Sequence, residues 1–400
     1  MTISTFLLAL IAIFVAAKLF GEIAERVGAP AVLGELIGGV VVGVSGLRLV
    51  DPHAETIHLL AQLGIVLLLF LIGLNTELSK LVAVWPAALI VAVAGVVLTF
   101  MGGWAVAHAL HYPNIVALFL GGALTATSVG ITARVLCDTG HLHDREAQII
   151  LGAAVVDDII GVILLTLIGS VAGGGALDAI AIARTAAIAF GFVFFAIVFG
   201  SFLAPHLVRA IERIGMARGL FFASIIFALT LAWIAQRAGT AIIIGSFAAG
   251  LVLARTEKAE EIERQVHDVV HFFVPIFFVA VGAAIDVKSL NLVGVLLAAI
   301  AVVGKVAAGH LAPGRGLRRM VVGVGMIPRG EVSLIFAQIG FASGLLSAGL
   351  FSAIAVMVMI TALITPLALR MLLPKGPALE READLMMDAP MEDEPREAAR

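Results

Sequence analysis

"GAAVVDDIIGVILL", residues 152–165, is the stretch on which the reading of this chain turns. Asp157 and Asp158 stand side by side in a run that is otherwise apolar and, with its flanks, long enough to cross a bilayer. A charged side chain at the bilayer centre costs ~2.5–3.5 kcal/mol on insertion scales. Two adjacent carboxylates persist there only where something holds them or uses them.

Working outward, nearly the whole chain has the same character. Of its 400 residues, 61% are hydrophobic and 13% charged, and the mean hydropathy is +1.13. Soluble domains run near ~25% charged. Whole windows are apolar rather than alternating, which indicates an all-α polytopic membrane protein and not a transmembrane barrel. The single cysteine, Cys137, excludes an internal disulfide. The first twenty residues carry no basic leader region and no clear cleavage site, so they read as a retained first helix. The net charge of −3 says little about partners, since much of it comes from the C-terminal stretch, and no nucleic-acid partner is implied.

Thirteen apolar windows are candidate transmembrane helices: 3–20, 30–47, 57–74, 82–109, 114–136, 147–171, 179–208, 218–236, 241–254, 266–285, 289–311, 317–342 and 348–373. The count becomes twelve or fourteen if a short segment such as 241–254 is re-entrant. With the N-terminus outside, most of the 25 Lys and Arg fall on the inner side, while Arg48, Arg184, Arg237 and Lys288 fall on the outer. Lys305 and Arg329 lie within spans. This bias gives an N-out, C-in orientation. Residues 375–400 are charged, Pro-containing and aperiodic, and read as a disordered cytoplasmic tail. That leaves no room for a soluble nucleotide-binding regulatory domain.

The chain repeats itself. "GAPAVLGELIGGVVVG" (28–43) resembles "GTAIIIGSFAAGLVLA" (239–254): Gly28, Gly34 and Gly39 match Gly239, Gly245 and Gly250 at an offset of 211. "FLIGLNTELSKL" (70–81) resembles "VAVGAAIDVKSL" (279–290) at an offset of 209, with Gly73 matching Gly282 and Glu77 matching Asp286. Span 2 thus pairs with span 9 and span 3 with span 10. The step of seven spans is odd, so the halves cross the membrane in opposite senses. Inverted-topology repeats mark secondary transporters, whose sites lie near the midplane at broken helices.

Two spans carry helix-breaking interiors, and they too are seven apart. In "GGALTATSVGIT" (121–132), two glycines are followed by Thr125, Thr127, Ser128, Gly130 and Thr132. In "GVGMIPRGEV" (323–332), Pro328, Arg329, Gly330 and Glu331 interrupt an apolar run. If both unwind at mid-depth, hydroxyls and partner charges must satisfy the freed backbone. The plainer alternative for the first stretch is that Thr and Ser bond back to their own helix and Gly allows close packing. Consecutive helical residues project about 100° apart, so Asp157 and Asp158 face different neighbours. Lys305, in "AAIAVVGKVAAGH" (298–310), is the embedded cation available to one of them, and a purely structural ion pair is one reading of it. Carboxylate, hydroxyl and unwound carbonyl oxygens suit a hard monovalent cation, and protons compete for the same carboxylates. A site that holds an ion or protons, never both, is the minimum machinery of an antiporter.

With "TATSVGITARVL" (125–136), "GAAVVDDIIGVILL" (152–165), "GKVAAG" (304–309) and "GVGMIPRGEVSLI" (323–335), the chain resembles the monovalent cation:proton antiporter-2 family, in particular its bacterial NapA-type sodium/proton antiporters. The likeness runs from about residue 5 to 373. The resemblance implies a NhaA/NapA-type fold with two crossed broken helices and an elevator-like core. It implies dimer-domain helices in 1–81 and 216–288, core transport helices in 82–171 and 289–374, and a linker helix in 172–215. It implies that Asp158 is the main ion and proton carboxylate, that Asp157 pairs with Lys305, and that Thr127 and Ser128 help ligate Na⁺. Arg329, Glu331 and Pro328 would stabilise the second break. It also implies electrogenic exchange of Na⁺ (or Li⁺, with K⁺ as the rival ion) for H⁺, no cofactor, no enzymatic activity, a homodimer, and a bacterial inner membrane. A short connection after span 11, "LAPGRG", departs from the pattern. The readings of another class are an ion channel or a non-transporting membrane sensor. His108, His111, His141 and His143, at span ends, read as solvated interfacial residues or as pH sensors.

Overall fold

The computed structural model describes residues 2–52, 54–172, 179–214 and 218–374; the tail read from the sequence at 375–400 lies outside the described residues. The first half of the chain runs α1 (Ile3–Arg26), α2 (Ala31–Val42), α3 (Glu55–Leu74), α4 (Leu78–Ala83), α5 (Trp85–Ala109), α6 (Asn114–Ala123), α7 (Val129–Asp138) and α8 (Arg145–Ala172). The second runs α9 (Ala179–Ile214), α10 (Gly219–Arg237), α11 (Ile242–Leu253), α12 (Ala259–Ala283), α13 (Leu292–His310), α14 (Arg319–Gly325), α15 (Glu331–Ala342) and α16 (Ala348–Leu372). Among the described residues there is no strand, and nine helices are long and apolar enough to cross a membrane.

Each apolar window holds at least one helix, windows 114–136 and 317–342 hold two each, and some helices outrun their windows. α1 continues to Arg26 and α12 begins at Ala259, where Glu260 and Glu261 occupy the first turn. Charged residues at a helix end keep the backbone hydrogen-bonded while their heads reach water, so hydropathy marks only the buried middle of the element. Polar caps set other ends: the side chains of Asn291 and Ser347 accept from Gly294 N (2.8 Å) and Leu350 N (3.3 Å) to start α13 and α16.

The helices pack in two groups. α1, α2 and α3 pack with α10, α11 and α12, whereas α5, α6 and α8 pack with α13, α14, α15 and α16. α9 lies against α8, α10 and α11, and α7 touches both α3 and α16. A polar clasp closes one end of the second group. Arg318, just before α14, reaches Asp144 (2.5 Å) and Glu146 (3.3 Å) at the start of α8. Asp144 also meets Nδ1 of His141 (2.8 Å), whose Nε2 meets the carbonyl of Pro374 beyond α16 (3.0 Å). Among the span-end histidines, His141 is therefore buried and tied rather than solvated.

The sequence repeat has a structural counterpart in four glycines. A Cβ on Gly39 of α2 would collide with the carbonyl oxygen of Val279 on α12, and one on Gly282 with the carbonyl oxygen of Leu36. The equivalent glycines do the same between α3 and α11: Gly250 meets the carbonyl oxygen of Phe70, and Gly73 that of Phe247. Every partner is also its counterpart's repeat equivalent. An operation that exchanges α2 with α11 and α3 with α12 maps one crossing onto the other, which is the property of a two-fold axis. The second group repeats a crossing too, with Gly103 of α5 against Gly121 of α6 and Gly309 of α13 against Gly323 of α14. That register makes Thr99 of α5 the counterpart of Lys305 of α13, each four residues before its glycine.

In lipid, helices associate through close packing of small residues, so these crossings carry weight. Gly39→Ala and Gly250→Ala are each expected to lower stability by ~1–3 kcal/mol, the range for overpacking, and by similar amounts. Gly191→Ala, where a Cβ meets nothing within 4 Å, is the control. Thermal unfolding in detergent reads the difference, and a Gly39→Ala protein as stable as the control is incompatible with this crossing.

Candidate functional site

α6 ends where the hydroxyl of Thr125 bonds back to the carbonyl of Gly122 (2.8 Å), and α7 restarts after an extended Ser128. α14 ends at Gly325, Pro328 has no N–H to continue the ladder, and α15 restarts after a non-helical Gly330. The two breaks lie against each other. Ser128 N donates to Pro328 O (2.8 Å), and the hydroxyl of Thr132 donates to Gly325 O (2.7 Å). Gly330 fits beside Ser128 because it has no Cβ: one would sit 2.8 Å from the Ser128 hydroxyl.

A helix C-terminus buried at this depth leaves carbonyls that need donors. Arg329, 1% exposed, supplies them: its Nη1 reaches the carbonyls of Met326 (3.1 Å), Ile327 (2.9 Å) and Pro328 (3.4 Å). Its backbone N–H donates to the hydroxyl of Thr361 on α16 (3.2 Å). Nε and Nη2 of the same guanidinium are buried without a hydrogen-bond partner, so a positive charge sits beside the break.

The two aspartates on α8 separate as helical geometry requires. Asp157 is fully buried. Its Oδ2 accepts from Nζ of Lys305 on α13 (2.5 Å) and from the hydroxyl of Thr127 (2.7 Å), while Oδ1 has no hydrogen-bond partner. The Thr127 hydroxyl also lies 3.2 Å from Met326 O, so this one side chain joins the first break, the second break and the ion pair. Asp158 is 4% exposed and lines a small cleft of ≈ 10 Å³ with Leu69 of α3, Val129 of α7, Leu151 of α8, and Ile243, Ile244 and Phe247 around the start of α11. That is room for about one water. The cleft lies between the two helix groups.

Direct hydrogen bonds thus bring together Asp157, Lys305, Thr127, Pro328 and Arg329. Ser128 joins them through its backbone, and Asp158 adjoins them on another face of α8. The side chain of Glu331 lies outside the described part of the structure. Two members were not singled out from the sequence. Thr132 stood in the quoted stretch among other hydroxyls, with nothing to separate it from them. Thr361 gave no signal, since a Thr in an apolar helix ordinarily bonds back to its own turn, as this one also does to Met357 O (2.9 Å). Among the described residues no group of three His, Cys, Asp or Glu side chains forms a metal cage. The oxygens present are two carboxylates, hydroxyls and unwound carbonyls.

Comparison with known proteins fits this geometry. Residues 7–375 match the family model described as sodium/hydrogen exchanger, transmembrane. The chain is 42% identical to the high-affinity Na⁺/H⁺ antiporter NhaS3 of Synechocystis, over 91% of this chain and 89% of that protein. It is 36% identical to the Na⁺/H⁺-K⁺ antiporter GerN of Bacillus cereus, over 88% and 92%. The fold superposes on the sodium proton antiporter MjNhaP1 of Methanocaldococcus jannaschii with a TM-score of 0.64, covering 90% of this chain and 94% of that one at 15% identity. A multi-pass helical architecture, a buried crossing of broken helices and a match over nearly the whole length agree: the chain is a transporter and not an enzyme, and it belongs to the sodium/hydrogen exchanger family.

Proposed function

We propose that this protein exchanges Na⁺, or Li⁺, for H⁺ across the bacterial cytoplasmic membrane, and that each cycle moves net charge. The observation that carries the reading is the division of labour on α8. Asp157 is locked to Lys305 in the dry interior, whereas its neighbour Asp158 lines the cleft between the two helix groups. In the proton-loaded state Asp158 carries a proton and Lys305 holds Asp157. Na⁺ entering the cleft displaces the proton from Asp158, competes for Asp157, and draws on the oxygens of Thr127 and Ser128. Lys305 then loses its partner and releases a second proton. Arg329, Pro328 and Glu331 keep the second break open without taking part in the exchange.

The packing supports a matching division of the body. The group of α1–α3 with α10–α12 is the dimer-forming scaffold. The group of α5–α8 with α13–α16 is the moving core, and α9 links them. The α3–α7 and α2–α7 contacts are where the two would slide. The N-terminus lies outside and the C-terminal end inside. Potassium is the rival ion, because oxygen ligands serve both cations and the relative GerN is named for both. Proton efflux from proteoliposomes challenged in turn with Na⁺, Li⁺ and K⁺ decides between them. A response to K⁺ alone removes the sodium assignment, and an unsaturable flux indifferent to the pH gradient indicates a channel.

Asp158→Asn is expected to abolish exchange and leave the fold intact, read as lost sodium-driven proton movement with unchanged size-exclusion behaviour. Full-rate exchange by that variant places the ion elsewhere. Lys305→Ala leaves Asp157 without its cation, a change worth ~3–5 kcal/mol when a buried charge stays uncompensated, and lowers the melting temperature. Unchanged melting and unchanged charge movement mean that the pair has no energetic role.

The count of exchangeable protons, one on Asp158 and one on Lys305, sets two protons against one Na⁺. A voltage negative inside, worth ~2.3 kcal/mol per charge per 100 mV, then draws protons in and drives Na⁺ out. The expected result is a null point that moves with imposed voltage in vesicles of known Na⁺ and pH gradients. A null point set by the gradients alone means one-for-one exchange and removes Lys305 from the proton count.

A further inference from the structure

We infer that Gly95 of α5 is a positioning residue for Lys305: the missing side chain is the slot that lets the ammonium reach Asp157. The inference rests on the antiport reading above for its transport consequence and on geometry alone for its structural one. α5 and α13 pack side by side. A Cβ on Gly95 would stand 2.8 Å from Lys305 Nζ, 2.9 Å from its Cδ and 3.2 Å from its Cε. The three nearest atoms all belong to this one side chain, in contrast to Gly39, whose neighbours are backbone. Substitution at Gly95 therefore presses on Lys305 before it presses on the helix contact.

The repeat supplies a second fit of the same kind for comparison. Thr99 and Lys305 occupy matching registers, and Thr99 fits against α13 through Gly304, where a Cβ would lie 2.7 Å from its methyl group. Its hydroxyl bonds back to the carbonyl of Gly95 (2.8 Å), which gives that carbonyl a partner other than the ammonium. Lys305 is the longer residue, is 0% exposed, and has Asp157 Oδ2 as its hydrogen-bond acceptor. A methyl group at Gly95 leaves the lysine no solvent to retreat into. It must bend away from Asp157, loosening the pair that competes with Na⁺.

Three variants test this: Gly95→Ala, Lys305→Ala and the double substitution. A mid-helix Gly→Ala normally stabilises a helix. The expected result is the opposite sign in the native background, a lower melting temperature, with no loss or a gain when Lys305 is already Ala. In proteoliposomes Gly95→Ala lowers the Na⁺ concentration for half-maximal exchange by about fivefold, within the range of couplings between touching residues. It also carries the pH profile toward lower pH, because Na⁺ meets a weaker competitor. In the Lys305→Ala background it changes neither. Should Gly95→Ala fail to fold, recovery of folding in the double variant supports the slot, and its absence overturns it. Equal effects in both backgrounds, or a native Na⁺ dependence and melting temperature in Gly95→Ala, also overturn it. A native protein without Na⁺-driven proton flux removes the antiport reading instead, and the melting cycle then decides Gly95 by itself.

Discussion

A single carboxylate oxygen, Oδ2 of Asp157, holds the centre of this structure together. It accepts from an ammonium on α13 and from the hydroxyl that sits at the first helix break, and that hydroxyl also reaches the end of α14. A charge with no water around it needs its opposite in contact, and here Oδ2 alone makes that contact, since Oδ1 has no hydrogen-bond partner. That demand fixes where α8, α13 and both breaks lie relative to one another. The neighbouring Asp158 takes its place on α8 from that arrangement.

The same economy governs the backbone. Each interrupted helix frees carbonyls and amides that lipid cannot satisfy. The chain answers with three kinds of donor: a backbone amide, Ser128 N from the opposite break; hydroxyls, among them that of Thr132; and the guanidinium of Arg329. Arginine suits the last task because one terminal nitrogen reaches all three carbonyls while the guanidinium keeps its charge when buried. Lysine, a point donor, is placed where one partner is enough and where giving up a proton is part of the proposed cycle.

Much of this was legible in the sequence, for a physical reason. Charges and helix breakers are costly in an apolar span, so Asp157, Asp158, Lys305, Pro328 and Arg329 stood out against their surroundings. The repeated glycines did so as well, because close helix packing in lipid depends on small residues at fixed spacing. What the sequence could not carry was acceptance and room. Thr361 looks like any helix-bonding threonine, and Gly95 like any glycine in a small-residue stripe. Their meaning appears only when the break at Arg329 is laid beside Thr361 and α13 beside Gly95. The burial of His141 was missed for the same reason, since its partner Pro374 lies 233 residues away.

That kind of separation has a bearing on how the protein is made. Asp157 and Lys305 are 148 residues apart, and chains are synthesised at about 5–20 residues per second. For ~7–30 s after α8 emerges, its lysine does not yet exist. During that interval α8 must be accepted by the insertion machinery on its own merits. Its Ile, Leu and Val residues return only ~0.3–0.6 kcal/mol each against two aspartates. The dense aliphatic flank that follows the carboxylates, "IIGVILLTLI" (159–168), is then more than lipid contact: it is the ballast that lets the ribosome deliver a charged helix ahead of its counter-ion.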